Sequence, residues 1–205
     1  MSLKFPVRPF NFGEMAALAS PASASQPEAI PFTYYDTQDF VTNWTRVSFF
    51  ANPQNDPTLG NIEQGGTLPI DTYFQIYSIN LDWLVSSVVT AATPTQVNDL
   101  LQILNGSRAI LQLTIAQKQY GPWPLSFVHS SGGIRATLSQ SEAALAGIFN
   151  YGTNYDADGG LWLDGAIILS PRQSFTMTIS GVAAALTATR QGRLSMTGVK
   201  YRQVR

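Results

Sequence analysis

The sequence predicts an all-β protein: a single jelly-roll β-sandwich of about eight strands, with two short helical insertions and an extended N-terminal arm. Three observations lead there. Segment after segment alternates apolar and polar side chains with the period of two that a half-buried strand requires. These segments are short and separated by turn-rich loops at the spacing of a two-sheet sandwich, of which the jelly roll is the eight-stranded version. No internal repeat of roughly 20–50 residues is visible, which disfavours a propeller or solenoid.

Residues 1–31 read as an arm and residues 32–205 as the jelly-roll domain. Pro6, Pro9, Pro21, Pro27 and Pro31 oppose a long helix or a central strand in the arm. Its large apolar side chains Phe5, Val7, Phe10 and Phe12 sit in a segment that cannot build its own core, so a surface elsewhere is expected to bury them. A short strand FTYYD follows, then a longer one, FVTNWTRVSFFA, with Val47 and Phe49 on one face and Arg46 and Ser48 on the other. NPQNDPTLGN is a loop.

The strongest strand signal lies within 61–85, after the turn at Gly65-Gly66 and the break at Pro69. Phe74 and Ile76 keep one alternation, while Ile79 and Leu81 keep the other, which places a bulge or bend near Tyr77-Ser78. A strand this long requires a partner on each side. Thr93-Pro94 starts a helix carrying Val97, Leu100, Leu101 and Leu104 at helical spacing, and Asn105-Gly106 ends it. Ala109, Leu111, Leu113 and Ile115 then alternate on one strand face, and GPWPLSF, with its two prolines, reads as an edge or irregular segment. Ser139 and Glu142 form a capping box that opens a second short helix, EAALAGIF. After a loop over 150–160, four more strands are predicted: LWLDGAIIL, QSFTMTIS, VAAALTAT and GRLSMTGVKYRQV, the last with a bulge at Gly198.

Charged residues make up 12% of the chain, about half the ~25% of an ordinary soluble domain. Gln, Asn, Ser and Thr take their place, and such a surface is poor at keeping monomers apart. Net charge is −1, so no global attraction to nucleic acid follows. No acidic residue follows Asp164, whereas Arg172, Arg190, Arg193, Lys200, Arg202 and Arg205 do. Such a bias can mark an anionic partner, but spaced single charges are ordinary on strand faces. The absence of cysteine excludes disulfides and thiolate metal sites. No run of apolar residues is long enough for a membrane-spanning helix, and the Pro-broken start is not expected to be a signal peptide.

Catalytic chemistry finds little to work with. His129 is the one histidine; it lies beside Ser130 and Ser131, yet the G-x-S-x-G frame of a nucleophile elbow is absent, and a turn role before Gly132-Gly133 suffices. A His-based metal site lacks a second histidine. No carboxylate pair is distinguished as a glycosidase dyad. Asn154, Asp156, Asp158 and Gly159 match the opening of a calcium loop, but the closing position falls on Gly165, with Asp164 one residue early. A hairpin loop whose side chains cap its own backbone explains the same residues. There is no Gly-rich phosphate loop, and no cofactor is expected.

Several frames resemble a known family: NIEQGGTLP before the long strand, IAQKQYGPWPL with the following SSGG, LSPRQSFTMTIS, and the closing LSMTGVKYRQVR. Together, as a discontinuous set over residues 40–205, they look like the small single-jelly-roll capsid proteins of tailless icosahedral bacteriophages. The resemblance implies a non-enzymatic shell protein of the virion. Its partners would be copies of itself and other capsid proteins, often over an internal viral membrane, with no specific nucleic acid. The interface residues expected on this reading are Phe5, Phe10, Phe12, Trp123, Arg202 and Arg205. The alternatives are a carbohydrate-binding jelly-roll module using Trp123 and Trp162, with calcium at Asp156 and Asp158, or a phage spike or decoration protein.

Overall fold

Two four-stranded antiparallel sheets face each other across one apolar core. The computed structural model describes residues 27–84, 94–128 and 160–203. Its strands are β1 (Pro27–Phe40), β2 (Arg46–Phe49), β3 (Thr72–Leu84), β4 (Ile110–Ile115), β5 (Lys118–Pro124), β6 (Leu161–Leu169), β7 (Phe175–Ser180) and β8 (Arg190–Gln203). One sheet runs β1-β8-β3-β6 and the other β2-β7-β4-β5. β1 therefore pairs with β8, β2 with β7, β3 with β6 and β4 with β5, and two further ladders, β3–β8 and β4–β7, complete the sheets. The alternation expected of Leu111, Leu113 and Ile115 fills the core from β4, and Phe175, Met177 and Ile179 fill it from β7, the predicted strand QSFTMTIS.

β3 holds the middle of its sheet, between β8 and β6. Its register shifts between Ile76 and Ser78 in both ladders, as the change of alternation predicts. Tyr77 is the extra residue. Before it Phe74 and Ile76 point inward; after it Ile79, Leu81 and Trp83 do. The bulge expected at Gly198 and the one near Tyr77 are a single feature. Gly198 lies opposite Ile76, and the inserted residue is on β3, because β8 runs against β1 without a shift.

Other segments differ from expectation. β1 takes in residues 27–31, which the sequence assigns to the arm; residues 1–26 lie outside the described part. The prolines are tolerated because β1 is an edge strand. FVTNWTRVSFFA is not one strand: Phe40 closes β1, a turn with Asn43 at φ 61° intervenes, and β2 begins at Arg46. VAAALTAT forms no strand. Its three successive alanines are weak strand formers, and its backbone is tied to other loops instead: Asn43 N–H donates to Ala184 O at 2.9 Å, and Val182 N–H to Ser107 O at 2.7 Å. The expected helix begins at Pro94, as α1 (Pro94–Leu101), but runs into a π-helical turn, Gln102–Gly106. The buried face runs through Asp99, Leu100 and Ile103, at helical spacing, and leaves Leu101 facing solvent. GPWPLSF divides between edge strand β5 and a one-turn helix, α2 (Leu125–Val128). The helix expected from Glu142 lies outside the described residues.

Two buried carboxylates brace the loops. Asp36, fully buried on β1, accepts from the Phe50 N–H at 2.5 Å and from Gln38 and Gln54 amides at 3.0 Å each. Phe50 has φ 62°, a left-handed conformation that costs a bulky residue about 1–2 kcal/mol, and the hydrogen bond its N–H donates to Asp36 helps offset it. Asp99, fully buried on α1, accepts from the Thr187 N–H at 3.0 Å, the Thr187 hydroxyl at 2.6 Å and Arg190 Nε at 2.8 Å.

Candidate assembly surfaces

Of the residues expected at interfaces, Phe5, Phe10, Phe12 and Arg205 lie outside the described residues, as do His129, Asp156 and Asp158. Trp123 is half-buried and packed against the core. It sits opposite Leu111 at an irregular point of the β4–β5 ladder, so much of its ring is already used within the subunit. Arg202 is exposed, in register with Glu28 on one side and Thr72 on the other.

Among the described residues, three basic side chains of the last quarter are held by different partners. Arg190 is engaged by Asp99. Arg193 lies over the Tyr35 ring at 5.1 Å and donates to Thr58 O at 2.7 Å. Lys200 lies over Phe32 and Tyr34 at 4.9 and 5.8 Å. Burial and the charge of Glu63 push the Tyr34 hydroxyl up to about 12, so this ring stays a neutral platform for the ammonium. Among the described residues no group of three His, Asp or Glu side chains is placed to hold a metal ion, and no helix is long and apolar enough to cross a membrane.

Each sheet edge is blunted in a different way. On β1 the Tyr35 N–H points away from β8, toward Asn61. Pro27 and Pro31 share that parity, so the donors they lack are ones no ladder bond uses. Asn61 seals the next stretch: its Oδ1 accepts from the Tyr35 N–H and its Nδ2 donates to Thr33 O, both at 2.8 Å. β5 carries Pro122, Pro124 and a register shift. β2 has four residues. β6 departs from its partner between Trp162 and Ile167, where its register with β3 shifts at Ile76/Ser78. Proteins use such devices to prevent edge-to-edge pairing. Asn61→Ala should therefore free two backbone groups on β1. The expected outcome is faster hydrogen exchange at the Tyr35 amide and a stability loss of about 1–2 kcal/mol, read from amide exchange and chemical denaturation.

Eight large apolar side chains are exposed among the described residues: Ile30, Val41, Ile70, Leu101, Ile110, Phe127, Trp162 and Val182. Local alternation sets two of them apart from core: Trp162, out of phase with Leu161 and Leu163, and Ile110, out of phase with Ala109, Leu111 and Leu113. No family model matches the chain, and no curated protein and no solved structure matches it.

Proposed function

We propose that this protein is a structural subunit of a viral capsid, built on a single jelly roll, whose activity is self-association within the virion. The observation that carries the reading is the nested pairing of first strand with last, second with seventh, third with sixth and fourth with fifth. A long hairpin rolled into two sheets gives this order, and the eight-stranded jelly roll with that winding is a recurrent fold of capsid and lectin domains. The charge-poor, amide-rich composition supports contact with many copies, as does the resemblance of the NIEQGGTLP, GPWPL and closing-strand frames to phage capsid proteins. Its partners are copies of itself and other capsid proteins, over a viral membrane where one is present. No catalytic step and no cofactor enter this reading.

The arm is assigned the role of binding neighbouring subunits through Phe5, Phe10 and Phe12. Its deletion must stop before Pro27, because residues 27–31 belong to the β1–β8 ladder. Electron microscopy and light scattering of concentrated protein are expected to show closed shells or regular oligomers for the full chain and smaller species after removal of residues 1–26. A full chain that stays monomeric at high concentration overturns the reading.

One observation favours a carbohydrate-binding module as the second reading. Trp162 is 55% exposed on edge strand β6, and an exposed indole is a stacking surface for a sugar ring. Binding of a neutral glycan by the monomer, lost in Trp162→Ala, would support it.

A further inference from the structure

Five of the eight exposed apolar side chains, Val41, Leu101, Ile110, Phe127 and Val182, lie at the same end of the sandwich. Register places them there. β1 ends at Phe40 opposite Arg190, β2 begins at Arg46 opposite Ser180, β4 begins at Ile110 opposite Ser180, and β5 ends at Pro124 opposite Ile110. The opposite end, with Thr72, Leu169 and the β4–β5 turn, carries Ile70.

The segments that carry the five are bound to one another. Thr42 Oγ1 donates to Leu186 O at 2.6 Å, and Asn43 N–H to Ala184 O at 2.9 Å, joining the Val41 turn to the loop after Val182. Val182 N–H donates to Ser107 O at 2.7 Å, joining that loop to the π-turn beyond Leu101. Leu125 N–H donates to Ala109 O at 2.9 Å, joining α2, and so Phe127, to the start of β4. Asp99 and Arg190 lock α1 to the strand that follows the loop. A surface built this way is pre-organised, and association need not order it first.

We infer that this end of the sandwich is an isologous contact surface for a second copy of the same chain. The inference rests on the self-association reading and names the surface that serves it. The exposed fractions amount to on the order of 400–500 Å² of apolar surface, within the ~300–600 Å² of the largest patch on a typical monomer, a patch that is often functional. Two such patches and a polar rim approach the ~1,200–2,000 Å² that a specific complex buries. The five apolar residues are uncharged and Arg190 is neutralised by Asp99, but Arg46, across Ser180 from Ile110, and Arg108, just before β4, are exposed at the same end. An isologous contact therefore centres on the apolar side chains and leaves these two arginines in its solvated rim, where like charges are screened. Strand addition is the competing mode, and the blunted edges oppose it.

The test uses sedimentation velocity of the full chain over a concentration series, with Phe127→Asp, Val182→Asp and, at the opposite end, Ile70→Asp. The expected result is at least tenfold weaker association for the first two, with native circular dichroism, and unchanged association for the third. Val182→Cys supplies a readout that needs no disruptive charge: its thiol is the one thiol in the chain, and its maleimide reactivity should fall as concentration rises. Wild-type-like association by folded Phe127→Asp and Val182→Asp, with a Val182→Cys thiol that reacts at the same rate at all concentrations, overturns this surface and leaves self-association standing. A wild type that is monomeric throughout overturns both.

Discussion

Replacing Gly198 by alanine should lower stability by about 3–5 kcal/mol, among the largest effects a single methyl can have. A Cβ built on Gly198 would overlap the carbonyl oxygen of Gln75 and stand 2.8 Å from its carbonyl carbon and 3.2 Å from the Cα of Ile76. All are backbone atoms of the neighbouring central strand, so no rotamer change relieves the overlap. The cause is space and not backbone freedom: Gly198 is opposite the β3 bulge, where the inserted Tyr77 brings β3 close to β8. Relief requires the two central strands to separate, which opens the ladder on which β1 also depends. In a chain of this size the loss corresponds to roughly 10 °C or more in melting temperature. Gly192→Ala is the control. Its Cβ would meet ring atoms of Phe40 and Trp83 at 2.9 and 3.1 Å, and side chains can shift where a strand cannot. Thermal melts of the two variants should separate clearly. Equal losses would show that the bulge does not bring the strands as close as the geometry indicates.

The position of that bulge is legible in the sequence, because an alternation that changes phase between Ile76 and Ile79 must insert a residue or expose a core side chain. The same logic makes β4 and β7 legible. It fails for VAAALTAT, whose buried Ala184 and Leu186 mimic a strand while the backbone bonds to the loop at Asn43. Pro27 and Pro31 mislead for a related reason: whether a proline breaks a strand depends on which side of the ladder its nitrogen faces, and that depends on β8, more than 160 residues away in sequence. Nothing in the local sequence marks Asp36 or Asp99 as buried, because their partners are brought in by the fold: Thr187 is 88 positions from Asp99. Exposure at Phe127 and Val182 is likewise a property of the assembled end. The composition that suggests self-association is visible in the sequence, and the surface that would perform it is not.

Asp99→Ala should be the second large loss, about 3–5 kcal/mol, because it leaves the Arg190 guanidinium and the Thr187 donors without their acceptor. The Arg190 side chain is 17% exposed, so water screens little of the loss. Asp99→Asn keeps the shape and one acceptor oxygen, and its loss should be smaller. Replacing both partners, as in Asp99→Leu with Arg190→Met, should recover much of the deficit if unpaired polar groups are its cause, since apolar pairs of similar volume often match buried ion pairs. The carboxyl also sets a pH dependence. Burial alone would push it up, but the Thr187 hydroxyl and N–H, and then the hydrogen bond and charge of Arg190, outweigh burial and hold it below the ordinary carboxylate range. A carboxyl whose pKa is depressed by folding contributes stability that is full above its unfolded value, about 3.9, and is lost as pH falls through the folded value. The melting-temperature difference between wild type and Asp99→Asn should therefore be constant from neutral pH down to about 5 and shrink below about 4. A difference that persists unchanged to pH 2 would mean that geometry, and not the charge on Asp99, holds α1 to β8.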